Sequence, residues 1–269
     1  MIVTRPAAVA GMFYPGEAVQ LATELRAYLS SSPIDDAGLP KALIVPHAGY
    51  VYSAPIAAAA YARIAPARDT IRRVVLLGPA HRVPVRGLAL PAAQAFATPL
   101  GTVTVDTEAV AGALRLPQVV QSARVHEQEH SLEVQLPFLQ MLLKDFKIVP
   151  FAVGDADAEE VAEVLDLLWG GPETLIVVSS DLSHYHRYAI AQEIDSATTQ
   201  QILAFKPRLE HEQACGANPI NGLLLCAKRR GLKARLLDLR NSGDTAGDRS
   251  RVVGYAAFTF TEDSAHARS

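Results

Sequence analysis

The chain has little that would staple it together or anchor it. Among 269 residues there are two cysteines, Cys215 and Cys226, which make neither a disulfide framework nor a Cys-x-x-Cys pair. No apolar run reaches membrane-spanning length. The opening stretch, MIVTRPAAVAGMFYPG, has neither the basic start nor the apolar core of a signal peptide. An excess of one charge is also missing: 25 Lys and Arg against 28 Asp and Glu leave a net charge of −3 and a pI near 6.2, with the signs well mixed. These absences argue against nucleic acid and an anionic membrane surface as main partners, and the expected compartment is the cytoplasm. No repeat, low-complexity tract or linker divides the sequence, so residues 1–269 are expected to form one domain.

What is present is apolar and ordered in pattern. Hydrophobic residues make up 49% and charged residues 20%, enough to bury a sizeable core. KALIVPH (41–47), RRVVLLGPAH (72–81) and TLIVVSSDLSH (174–184) read as strands buried on both faces. Further strands are expected at 86–90, 146–154, 234–243 and 252–260. Helical spacing fills the intervals at 17–31, 54–65, 106–115, 131–144, 157–169, 188–205 and 218–231, with Asp106 and Asp157 where N-caps belong. Strand then helix, repeated, means a largely parallel or mixed sheet with helices on both faces, an α/β fold.

Ligands in such folds bind beyond the carboxyl ends of the strands, and three of these strands end at a histidine: His47, His81 and His184. A lone histidine there is more often structural than a ligand. Here the pattern recurs, and Pro46 with Gly49, and Gly78 with Pro79, would fix the side chains in exposed turns. Paired imidazoles on neighbouring strands suit a transition metal, with a carboxylate as the usual third ligand. Asp244, in NSGDTAGDRS after the strand at 234–243, is the candidate; it reads equally well as an ordinary turn aspartate.

Other residues have paired readings. Asp181, three residues before His184, would orient that imidazole or cap a helix starting there. His130 and Glu133 share a helix face and are candidates to support the site, with capping as the alternative. His126–His130 matches HExxH formally, but the apolar helix that pattern needs begins only after His130, so chance is the better account. Cys226 reads as core, whereas Cys215 could line the cleft. Tyr50, Tyr52 and Tyr185 are candidate cleft walls or ordinary packing.

Taken together, RPAAVAGMFYPG, VPHAGYVYS, LLGPAH, EHSLEVQLPFL, SSDLSHY and NSGDTAGDRSRVVGYAAF resemble the Memo family, in order and over nearly the whole chain. Bacterial and archaeal members form the group called AmmeMemoRadiSam system protein B, named for occurring beside an AMMECR-like protein and a radical SAM protein. The resemblance implies a three-layer α/β/α sandwich similar to class III extradiol dioxygenases, which hold non-heme iron through two histidines and a carboxylate. It implies that His47 and His81 are metal ligands and that the loop containing Asp244 supplies the third. Animal members place a cysteine there; an aspartate favours a dioxygenase-like triad over a soft-metal role such as Cu(I) binding. His184 corresponds to a further site histidine near the dioxygenase acid/base.

The expectation is therefore a non-heme iron oxidoreductase. Fe(II) is the first choice, and another divalent transition metal or copper the alternative. His47, His81 and Asp244 would hold the ion, His184 would move protons with Asp181 orienting it, and the substrate would be a small, aromatic or otherwise electron-rich molecule. Two rival readings use the same cleft: a non-catalytic module for a peptide or anionic ligand, and an accessory partner of a radical SAM enzyme.

Overall fold

Aliphatic runs with no polar face can pair only inside a sheet that is covered on both sides, and the computed structural model, which describes residues 2–32 and 38–262, has such a sheet. Its strands in chain order are β1 (Thr4–Arg5), β2 (Pro40–Val45), β3 (Arg73–Pro79), β4 (Leu88–Leu90), β5 (Ala95–Thr98) and β6 (Gly101–Val105). They continue as β7 (Val119–Gln121), β8 (Lys147–Val153), β9 (Thr174–Ser179), β10 (His184–His186), β11 (Lys233–Asn241) and β12 (Val252–Thr261). The path runs β1-β5-β6-β8-β3-β9-β2-β12-β10, with β11 also pairing β12 and β4 linking β7 to β8. The middle of this path, from β6 to β2, is parallel throughout, and helices pack around the sheet. This is the mixed, largely parallel α/β/α arrangement the alternation of segments predicts.

The helices form where caps and burial permit. Asp157 and Glu160 make a reciprocal capping box at the start of the helix Ala158–Leu168, and Asp106 caps Thr107–Ala113. The helix Tyr50–Tyr61 begins four residues earlier than its alanine run suggests, directly after Gly49. It is apolar almost all round because it is buried almost all round. The segment at 131–144 gives a 3-10 turn and a short helix, Leu136–Leu142. The helix expected to start near His184 does not: His184–His186 is a short strand on β12, and the helix begins at Tyr188. No described helix is long and apolar enough to cross a membrane.

Register brings three strand ends level at the middle of the sheet. Val45 of β2 pairs with Ser179 of β9, and Leu77 of β3 pairs with Val178. The chain therefore leaves β2, β9 and β3 side by side, delivering His47, Asp181 and His81 to one edge.

Segment 129–133 closes over this edge. Gly78 lets it in, because a Cβ there would sit 2.8 Å from Ser131 Oγ and 3.0 Å from Leu132 Cδ2. On its far side the fully buried carboxylate of Glu133 accepts hydrogen bonds from Arg5 Nη1 (2.6 Å), the backbone of Ala8 and Val9, and the Tyr14 hydroxyl (2.7 Å). The Arg5 guanidinium also donates to the carbonyls of His126 and Glu129. Both charges are thus desolvated and fully partnered, the condition under which a buried ion pair holds. Removing one partner strands the other. Arg5→Met is expected to lower unfolding stability by about 3–5 kcal/mol, measured by denaturant unfolding; a loss below about 1 kcal/mol would mean that the pair does not fasten the N-terminal segment.

Candidate metal centre

The proline before His47 and the Gly78-Pro79 pair before His81 end their strands abruptly, so both imidazoles project past the sheet edge. His130 joins them from segment 129–133. One ring nitrogen from each of His47, His81 and His130 lies within 4.8 Å of the others, a spacing that can hold a metal ion. Ring centroids are 5.1 Å apart for His47–His81, 4.8 Å for His81–His130 and 5.5 Å for His47–His130.

Hydrogen-bond accounting sets two of the tautomers. Ser179 Oγ gives its hydrogen to the Ser131 carbonyl (2.6 Å) and accepts from Gln135 Nε2 (2.8 Å). Toward His47 Nδ1, 2.9 Å away, it can therefore only accept. Nδ1 carries the hydrogen, and the lone pair of Nε2 faces the cluster. His81 Nδ1 lies 3.0 Å from Glu129 Oε1, and an ionised carboxylate only accepts, so here too Nε2 is left as the donor to a metal.

Glu129 is 1% exposed. Burial alone would raise its pKa, but hydrogen bonds from the His81 ring and from the backbone N–H groups of Ser131 and His81 outweigh burial and bring it down to about 2. The same carboxylate accepts the His130 backbone N–H at 2.9 Å.

Burial holds the His47 imidazole well below its ordinary pKa, with His81 adding to the effect, and brings His130 down to about 4. Both are neutral near pH 7, the form that ligates metals. His130 Nδ1 is buried without a hydrogen-bond partner, the nearest Glu129 oxygen being 3.4 Å away and out of line. An orphaned buried nitrogen beside two further imidazoles suits a bound cation.

The cluster forms the floor of a cavity of about 920 Å³, walled in part by Phe13, Tyr52, Tyr185 and His184. Six of the chain's eight histidines line it. Cys215 lines it as well, with Sγ 3.3 Å from His47 Nε2. Burial, reinforced by the charge of Asp181, pushes this thiol up to about 12. Gly216 lets the chain pass close to Ser180 here, since a Cβ would sit 2.7 Å from Ser180 Cβ.

Several expected residues lie differently. Asp244 does not join His47 and His81. It closes a capping box on Asn241, with Oδ2 accepting that residue's N–H at 3.0 Å and Oδ1 taking the Tyr188 hydroxyl at 2.5 Å. It is absent from the cavity wall; the turn chemistry of SGDT governs its position. Asp181 lines the cavity but does not orient His184, because β10 carries that ring away as a strand. Its carboxylate instead accepts the backbone N–H of His47 (2.7 Å), and burial raises its pKa to about 7 against the hydrogen bonds from His47 and Ala48. Glu133 belongs to the Arg5 pair rather than to the cluster. Tyr50 is buried, donating to the Val134 carbonyl. His126 stands apart on the Ala89 carbonyl.

A family model described as Memo-like protein matches residues 5–259, and the chain belongs to the Memo family. Among its relatives is a MEMO1 family protein of Methanosarcina mazei, 40% identical over 271 residues, covering 94% of this chain and 97% of the relative. Another, from Ignicoccus hospitalis, is 35% identical over 286 residues, covering 96% and 99%. One from Aquifex aeolicus is 36% identical over 268 residues, covering 95% and 98%. A crystal structure of the uncharacterised Escherichia coli protein JW3007 aligns with a TM-score of 0.49 at 14% identity, covering 82% of this chain and 99% of that one.

If Glu129 fixes the His81 ring, Glu129→Gln should weaken Zn(II) affinity by about 10–100-fold, because an amide NH2 would face N–H donors. Competitive chelator titration reads this; unchanged affinity would remove Glu129 from the site.

Proposed function

We propose that the chain is a metal-dependent oxidoreductase acting on a small, electron-rich molecule in the 920 Å³ cavity. The single observation that carries this reading is the convergence of the His47, His81 and His130 nitrogens within 4.8 Å on the floor of an aromatic-walled cleft. His47 and His81 would hold the ion through Nε2, and His130 would be the third ligand. Cys215 is the adjoining donor, since its sulfur touches the same His47 nitrogen that would meet the ion.

Imidazoles with a neighbouring thiol suit iron, copper or zinc rather than magnesium or calcium. With the Asp244 carboxylate elsewhere, the two-histidine-one-carboxylate set is not the one to expect. Fe(II) remains the ion that would supply redox chemistry toward oxygen.

The chain's own groups would do the rest. Burial keeps His184 below its ordinary pKa, partly opposed by a hydrogen bond to the Leu182 backbone, so a neutral imidazole stands ready to take a proton from a bound hydroxyl. Phe13 and Tyr52 exclude water and offer flat contact.

The test is anaerobic loading with Fe(II), metal analysis, and oxygen uptake with a panel of catechols. His47→Ala and His81→Ala should lose the ion. Asp244→Ala should keep it at wild-type stoichiometry. His184→Ala should keep the ion but lose at least about 100-fold in turnover, the low end of what general acid–base catalysis gives. Loss of metal from Asp244→Ala equal to that from His47→Ala would contradict the ligand set. A loaded protein that consumes no oxygen with any catechol would contradict the reaction class.

A further inference from the structure

The mouth of the cavity carries a feature that the metal cluster does not use. Tyr185 is one of two non-glycine residues with positive φ among the described residues, at 63°. A left-handed tyrosine costs energy and persists where the surroundings enforce it, often at functional sites. The cause is visible in the pairing. His184 opposes Val253 and His186 opposes Val252, so β10 spends one residue more than β12 and Tyr185 is the bulge. The bulge aims the ring at the cavity, where it stays 64% exposed.

Directly before β12, Arg251 lays its guanidinium 5.1 Å from the centre of that ring. Among the described residues the guanidinium has no ion pair or hydrogen bond, and neither has that of Arg82, which also lines the cavity. Three acidic groups share this wall, Asp181, Glu212 and Asp248, and none forms an ion pair with Arg251: Asp248 accepts from the N–H and hydroxyl of Ser250, and Asp181 from the His47 backbone. A guanidinium held by stacking keeps its N–H edge free for a planar anion.

We propose that Tyr185 and Arg251 form a substrate clamp, and that the molecule entering this cavity is a carboxylate on a flat apolar body, its anion on Arg251 and its face on Tyr185. This rests on reading the cavity as a substrate site. It adds what the metal cluster leaves open, the class of molecule recognised.

The probe is benzoate, titrated by NMR into metal-free and Zn(II)-loaded protein beside benzyl alcohol, acetate and inorganic phosphate. Benzoate should bind saturably and at least about tenfold tighter than the other three, as a charge-assisted contact added to ring stacking requires. Arg251→Met should lose at least about tenfold in benzoate affinity, and Arg251→Lys should recover part of it. Tyr185→Gly, which suits the left-handed backbone, should weaken benzoate with no fall in unfolding midpoint.

Benzoate affinity unchanged in Arg251→Met, or no benzoate binding by the wild type, would overturn the clamp. Phosphate binding as tightly as benzoate would also overturn it, replacing a carboxylate site with a general anion site. Metal stoichiometry measured on the same samples separates this from the metal reading: a wild type that binds benzoate through Arg251 but no metal would leave the clamp standing and remove the oxidoreductase.

Discussion

A single buried carboxylate, that of Glu129, organises the centre of this molecule. It takes the His81 backbone N–H at 2.6 Å and the His81 ring at 3.0 Å. It also takes the backbone N–H groups of His130 and Ser131, each at 2.9 Å. The group that sets the His81 tautomer therefore also shapes the loop that brings His130 to the cluster. Four donors around one anion make its burial tolerable, and the arrangement orients the His81 ring and positions the backbone that carries His130. Preorganisation of this kind lets an ion bind without first ordering its ligands.

The rest of the fold holds that carboxylate in place. Arg5 ties the segment from outside through Glu133 and two carbonyls, and Gly78 admits it against the end of β3. Ser179, at the end of β9, repeats the logic for His47 through Gln135, whose amide donates to both the Pro46 carbonyl and Ser179 Oγ. Phe13, carried on the N-terminal segment that Arg5 fastens, packs 4.7 Å from His130 and also lines the cavity. Stability and site geometry share one polar network, which explains why so many charged and polar side chains are buried near this one sheet edge.

The sheet was legible in the sequence because its central strands have no polar face, and β2, β3 and β8 stop at proline or glycine. The same signal pointed to His47 and His81, since side chains just past parallel strand ends must face a common edge. The supporting residues were harder to see. Glu129 and His130 lie in HEQEHS, whose charge reads as a solvated loop, and nothing in the local pattern says that it folds back over β3. Glu133 looked like a partner of His130 by helical spacing, but the helix starts later and its carboxylate goes to Arg5, more than a hundred residues away in the chain. Asp244 was ambiguous between ligand and turn, and the turn prevailed because Asn241 and Tyr188 satisfy both of its oxygens. Cys215 carried one usable hint, a cysteine followed by glycine just before a helix, but only the tertiary fold shows that Ser180 receives that turn.

The most direct measurement is anomalous diffraction from crystals grown with Fe(II) under nitrogen. The account predicts one ion per chain, with ring nitrogens of His47 and His81 at roughly 2.0–2.3 Å and His130 as the next donor. A peak on Asp244, or no peak at the histidine cluster despite excess metal, would contradict it.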